Sequence, residues 1–452
     1  MQSRTKMILG GIAIFAVAFT IGNVTRPDVS QAAKAVAARL RPSRGPKFPE
    51  GDTLVMADTI KARCGKGAEA GRRNCYMGQL LALRAQRGTR FAMGTLGRLA
   101  TIDRAVDQEG HDYSHMIGIT AYKESKDVTG SFKSCTEILQ SGCYHGVIQT
   151  YLISQKSVGA TEINTVCKEW TSPDADRWLR FQCVHGMGHG LTMFYDHDLP
   201  RALLGCDMLN EEWDQKSCYG GAFMENVVYA TDPRMAHMVM DDAAGGDHGA
   251  DSHGGGMAGM DMGGAAPAPT AGKYKMIDKA DLFFPCDAMA ARYQEDCWAM
   301  QPAVMLQLTD GSFEKTFRGC DGAPKEWRTV CYAGTGTEVS GYALRDQQAA
   351  IGMCLKGQPK YQPWCFRGVV KNFIDVTAKA DDGMKFCKIV PGRPNQMECY
   401  RAVGEEIAVL RNTLEGRRPM CEVITGDAGG RDACLFGAQV LTDRPKGVPV
   451  AE

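Results

Sequence analysis

Apolar residues along most of this chain fall in short helix-like runs that begin at a cysteine. CFRGVVKNFIDV (365–376) and CYRAVGEEIAVL (399–410) are two of them, and runs such as RDQQAAIGMC (345–354) lead up to the preceding cysteine. Between them lie turn formers, as in LKGQPKYQP (355–363) and KIVPGRPNQ (388–396). The pattern predicts a helix, a turn and a second helix, repeated many times.

The 18 cysteines give the count. They fall into consecutive pairs: Cys64 with Cys75, Cys135 with Cys143, Cys167 with Cys183, Cys206 with Cys218, Cys286 with Cys297, Cys320 with Cys331, Cys354 with Cys365, Cys387 with Cys399 and Cys421 with Cys434. The second cysteines Cys297, Cys331, Cys365 and Cys399 are 34 residues apart, and Cys434 follows after 35. Earlier steps are 40 and 35 (Cys143 to Cys183 to Cys218), and the step from Cys75 to Cys143 is 68, twice 34. A fixed period of this length is the signature of stacked helical hairpins. Sequential pairing would clamp the base of each hairpin, and pairing across neighbouring repeats is the rival. One such clamp is worth about 3 kcal/mol in the chain-entropy picture. No pair makes C-x-x-C or C-x-x-C-H, so zinc knuckles and c-type haem attachment have no support.

With the second cysteine as position 0, position +1 is Tyr76, Tyr144, Val184, Tyr219, Trp298, Tyr332, Phe366, Tyr400 and Leu435, aromatic or aliphatic throughout and hence core. Position +3 is glycine in seven of nine units, which points to close helix–helix approach. This register resembles disulfide-stapled Sel1-like repeats, cousins of tetratricopeptide repeats, over roughly residues 55–440. The resemblance implies an α/α superhelix with a concave binding face. The expected fold class is therefore all-α, a superhelical repeat (solenoid) of about ten hairpins of ~34 residues.

The N-terminus changes the setting. Arg4 and Lys6 precede an uncharged, mostly apolar run from Met7 to Val24, long enough to span a bilayer as a helix. We read residues 1–28 as a signal anchor with the body outside the cytoplasm, periplasmic or at the cell surface, rather than as a cleaved signal. Disulfides fit that compartment. A tether (29–54), N-terminal repeats (55–234), an insert (235–276), C-terminal repeats (277–442) and a tail (443–452) would follow. Net charge is zero, with 52 basic and 52 acidic residues, so no basic field points to nucleic acid.

Histidines carry the candidate chemistry. The 68-residue step should hide a cysteine-free unit with position 0 at Glu109, which puts His111 at +2 and His115 at +6. His145 is +2 in the next unit, with Gln149 at +6, and His185 and His189 are +2 and +6 in the one after. Positions four apart share a helix face, so these five imidazoles should meet across three neighbouring helices. The later units carry Ala299 and Ala303, Ala333 and Thr337, Arg367 and Lys371, Arg401 and Glu405, and Phe436 and Val440 there, so the patch is local. Neutral imidazoles suit copper, zinc or iron. Glu225 at +7 of the following unit is the carboxylate that would complete the set, with Asp112 and the Asp196–His197–Asp198 stretch nearby in sequence. Glu338 and Glu406 hold the same +7 position in histidine-free units, which allows a structural role for Glu225.

A second metal signal lies in the insert, where His237, His248, His253, Met257, Met260 and Met262 stand among Gly, Ala and Asp, with Met235, Met238 and Met240 upstream. It resembles the Met/His-rich segments of bacterial periplasmic copper-resistance proteins, and thioethers select Cu(I).

H-E-x-x-H, G-x-S-x-G and P-loop motifs are absent, and no thiol is left over as a nucleophile. Three functions fit: a membrane-tethered metal-binding repeat protein with a protein partner on the mixed face of Arg367, Lys371, Arg401 and Glu405; a metal-dependent oxidoreductase or hydrolase using the histidine cluster with Glu225 or Asp112 as acid/base; and a structural scaffold.

Overall fold

The computed structural model describes residues 46, 48–172, 176–231, 274–344 and 346–451. The proposed anchor and the His/Met ligands of the insert lie outside the described residues. Among the described residues the chain is all-helical, with no helix long and apolar enough to cross a membrane.

The helices are α1 (Thr53–Cys64), α2 (Glu69–Arg87), α3 (Thr89–Ile102), α4 (Arg104–Gln108), α5 (Gly110–Ser125), α6 (Val128–Ser134), α7 (Gly142–Ile153), α8 (Ala160–Val166), α9 (Arg177–Phe194), α10 (Leu199–Cys206) and α11 (Glu212–Thr231). After the insert come α12 (Ala291–Leu308), α13 (Phe313–Gly322), α14 (Arg328–Ala343), α15 (Gln347–Cys354), α16 (Gln362–Thr377), α17 (Ala380–Ile389), α18 (Arg393–Leu410), α19 (Leu414–Glu422) and α20 (Ala428–Gly437). Asp side chains cap the starts of α1, α4, α9, α10, α15 and α20 by accepting from backbone N–H groups, each cap worth about 1 kcal/mol.

Nine disulfides join consecutive cysteines, so the sequential pairing holds and the cross-repeat rival is excluded. Cys64 bonds Cys75, Cys135 bonds Cys143, Cys167 bonds Cys183, and Cys206 bonds Cys218. Beyond the insert Cys286 bonds Cys297, Cys320 bonds Cys331, Cys354 bonds Cys365, Cys387 bonds Cys399, and Cys421 bonds Cys434. Each bond ties a first helix, or the turn after it, to the helix that follows. Cys183 and Cys218 are wholly buried, one turn or more inside α9 and α11, so these bonds anchor the two helices next to the histidines. The Cys167–Cys183 loop is the longest, at 16 residues, because a short 3₁₀ turn (Lys168–Trp170) precedes α9. Their 40-residue step, from Cys143 to Cys183, is long for the same reason.

The second helices pack on one another in chain order: α5 on α7, then α9, α11, α12, α14, α16, α18 and α20. The +1 side chains lie beneath them, none more than 5 % exposed. Burying each contributes about 1.5–3 kcal/mol. Buried tyrosine hydroxyls find carboxylates, as in Tyr76 to Asp103 (2.6 Å) and Tyr332 to Asp321 (2.8 Å).

From Gly146 onward the +3 glycines let the backbones touch, whereas a Cβ on Gly78 would meet nothing within 4 Å. A Cβ on Gly221 would stand 2.0 Å from the carbonyl oxygen of His185, and one on Gly368 would stand 1.8 Å from that of Ala333. In each case +3 of one hairpin rests on +2 of the one before. This contact corrects the register of the cysteine-free unit. Gly146 rests on the His115 carbonyl, so His115 is at +2 and position 0 is Tyr113, not Glu109; His111 is at −2. The 68-residue step divides as 38 and 30 (75 to 113 to 143) because the Cys135–Cys143 hairpin is short, with a separation of 8, and α4 adds a turn before α5.

Distant hairpins also meet. The Leu139 N–H donates to Val376 O (3.2 Å), the Gln140 amide to Asn372 Oδ1 (2.6 Å), and the Arg177 N–H to Asn412 Oδ1 (3.1 Å). The N-terminal hairpins thus touch α16 and the end of α18.

Candidate metal centre

Six histidines lie among the described residues, and all six converge. α5 carries His111 and His115, α7 carries His145, and α9 carries His185 and His189. Neighbouring rings of these five have centroids 4.5–5.7 Å apart. His111, His115 and His145 form one triad whose ligand atoms lie within 4.8 Å of one another; His145, His185 and His189 form a second, so His145 belongs to both.

Each ring is held from outside the cluster. His111 Nδ1 donates to Leu139 O (3.0 Å), and His115 Nδ1 to Gln149 Oε1 (3.2 Å). His145 Nε2 donates to Gln182 Oε1 (2.9 Å), and His189 Nδ1 to Glu225 Oε2 (3.0 Å). His185 donates to the Ser217 carbonyl. Gln182 and Ser217 each directly precede a disulfide cysteine, Cys183 and Cys218, so those two bonds fix the residues that hold His145 and His185. The opposite nitrogens face inward: His111 Nε2 and His115 Nε2 are 3.0 Å apart, while His145 Nδ1 and His189 Nε2 are buried without a hydrogen-bond partner. An imidazole that donates one N–H outward presents a lone pair on the other nitrogen, and this outer shell fixes tautomer and ring orientation at metal sites.

Burial keeps four of the rings, His111, His115, His145 and His185, neutral. It pushes His111 down to about 4 and His185 to about 3, and holds His115 and His145 well below the ordinary imidazole range, the neighbouring rings adding to the effect. Burial alone would raise the Glu225 carboxyl, but the hydrogen bond from His189 and the approach of His197 hold it at about 2. His197 Nε2 is 3.6 Å from Glu225 Oε1, and its ring stacks on Tyr229 with centroids 3.5 Å apart. Left-handed backbone at Asp196 and His197 makes the turn that brings this histidine back. A chamber of about 50 Å³, lined by His111, His115, His189, Glu225, Met116 and Met224, adjoins the rings. It has room for water or another very small molecule.

Of the other sequence candidates, Asp112 also lines this chamber, with its carboxylate paired to Arg73 at 3.0 Å, while Asp198 caps α10. Glu406 pairs with Lys371 at 2.9 Å, so the shared +7 position does different work in different hairpins. The charges offered as a partner face pair with one another: Arg367 with Glu398 (3.0 Å) and Glu405 (2.6 Å), Arg401 with Glu398 (2.7 Å). Glu398 is wholly buried, so this is an interior ion network. Sequence reasoning missed Gln182, Met116 and Met224 as parts of the site, and placed Gln149 at +6 without a role; side-chain amides and thioethers show their role only once the helices are stacked. The chain matches no known family, no curated protein and no solved structure.

Proposed function

We propose that this is a metal-binding protein of an oxidising, extracytoplasmic compartment, holding a transition-metal ion among His111, His115, His145, His185 and His189. The observation that carries the reading is the orientation of the rings: each has one nitrogen committed to an oxygen outside the cluster, which leaves the other for an ion. The donor set fits copper, zinc or iron, and the thioethers of Met116 and Met224 beside it favour copper. Glu225 acts on the ion through His189. The ion would act as a Lewis acid or redox centre, and the adjoining chamber favours a catalytic form of this reading over pure storage.

The Met/His-rich insert would be a second, looser copper site, and the N-terminal apolar run would tether the body to a membrane. A partner would dock through exposed apolar residues such as Leu355, Ile389 and Val423, which follow the first cysteine in three successive C-terminal hairpins, within a solenoid-like stack.

X-ray absorption on the full-length chain, with the insert's histidines and methionines replaced, tests the centre. The expected result is an imidazole shell with nitrogens at about 2.0–2.1 Å. A shell of oxygens alone would contradict it.

A further inference from the structure

A larger cavity, of about 230 Å³, lies where the N-terminal hairpins meet the C-terminal ones. His111 belongs to its wall and also to the wall of the small chamber, so this ring stands between the two spaces. One side of the cavity is the turn at Leu139 and Gln140; the other comes from α14 and α16, including Ser340, Phe373 and Val376.

The turn is unusual. Leu139, Gln140 and Ser141 are three successive non-glycine residues in the left-handed region, with φ of 56°, 55° and 59°. Each costs about 1–2 kcal/mol. Strain of this kind persists where surrounding structure holds it, and it concentrates at binding sites. Here the turn is fixed at both ends: Leu139 O accepts from His111, while Leu139 N and the Gln140 amide bond α16.

The lining defines the ligand. Leu139, Leu344, Phe373 and Val376 give apolar surface, and Gln108, Gln347 and Thr377 give neutral hydrogen-bonding groups. Among the described residues no lysine or arginine lines the cavity, which disfavours an anion. Of the two carboxylates, Asp382 pairs with Lys385 at 3.1 Å and Asp107 is engaged within the fold. A cavity of about 150 Å³ holds benzene, so this one takes a somewhat larger ring.

We propose that the cavity binds a small uncharged aromatic molecule bearing a hydrogen-bonding group, with its polar end toward His111. The cavity stands without the metal; only contact between the bound molecule and the ion rests on the metal reading.

Calorimetry on the full chain with phenol, benzamide, benzylamine and benzoate tests this. A Cβ on Gly341, at the cavity's exposed rim, meets nothing within 4 Å, so Gly341→Leu fills the space without displacing the fold. The expected result is one saturable site for phenol and benzamide, at least tenfold weaker binding of benzoate and benzylamine, and at least a tenfold loss in Gly341→Leu with metal content unchanged. In the Co(II)-loaded chain the neutral probes should shift the visible spectrum. No saturable binding of either neutral probe, equal binding by Gly341→Leu, or charged probes binding as well as benzamide would overturn the proposal. A chain that takes up no Co(II) but still binds benzamide in a Gly341-dependent way would sink the metal reading and leave the cavity assigned.

Discussion

His111 Nε2 lies 3.0 Å from His115 Nε2, while the Nδ1 of each ring is held by an oxygen of another element. Two neutral imidazoles carry two N–H groups between them, one fewer than these three contacts need. An ion between the facing nitrogens would supply what is missing, since bonds of about 2.0–2.1 Å would span the gap at an angle of about 90°. The outer oxygens should then matter to affinity. Gln149→Leu and Gln182→Leu should each weaken metal binding by about 10–100-fold with the fold retained, read by competition with a chelating indicator. Unchanged affinity would show that the amides do not orient the rings.

Glu225 offers a second test of the outer shell. Glu225→Gln keeps the shape and the hydrogen-bonding oxygen beside His189 but removes the charge. Affinity should fall by about tenfold or more. Because the Glu225 carboxyl is held at about 2, its ionisation should play no part in any pH dependence of binding between pH 4 and 9. A wild-type binding step near pH 4–5 that vanishes in Glu225→Gln would contradict this.

In metal-free protein, stability should depend on pH in a defined window. His111 and His185 sit at about 4 and about 3 in the fold, against about 6.5 in the unfolded chain. Between those values the unfolded chain binds protons that the folded one refuses, so the histidines' contribution to stability falls as pH drops below 6.5 and is level above it. Buried carboxyls such as Glu338 and Asp296, both raised to about 7, act in the opposite sense, so the histidine contribution is read as the difference in thermal unfolding midpoints after chelation between the wild type and a protein with the five histidines replaced. The same pH dependence in both proteins from 6.5 to 4 would count against neutral, buried rings.

Helix spacing can be tested apart from the metal. Gly221→Ala drives a Cβ to 2.0 Å from the His185 carbonyl oxygen and should force α9 and α11 apart. We expect a loss of about 1–3 kcal/mol together with weaker metal binding, because His185 moves with its backbone. Gly71→Ala, where a Cβ meets nothing within 4 Å, should instead gain about 0.5–1 kcal/mol. Denaturant titration distinguishes them, and equal effects would refute the close-contact argument.

Much of this architecture can be read in the chain before folding. Cysteine spacing marks the hairpins, the +1 aromatics mark the core, and the +3 glycines mark where backbones touch. The convergence of five histidines follows from that register even though the register slipped by one turn at α5, because His111 and His115 lie on the same helix face in either frame. The slip arose where no cysteine marks the hairpin and its neighbour is the shortest. Other features have no local pattern. Gln140 meets Asn372 across 232 residues, so the cavity between them is invisible to periodicity. The Arg367, Lys371 and Arg401 stripe shows a charged face, but spacing does not say whether it meets solvent or, as here, Glu398, Glu405 and Glu406 inside.

His145 is common to both ligand triads, so one residue tests the central claim. The measurement is metal content of the full-length chain carrying replacements at His237, His248, His253, Met257, Met260 and Met262, with and without His145→Ala. Circular dichroism would verify that the helices persist. The account predicts at least one transition-metal ion per chain in the first protein and loss of it in the second. Equal metal content in both, or none in the first, would contradict it.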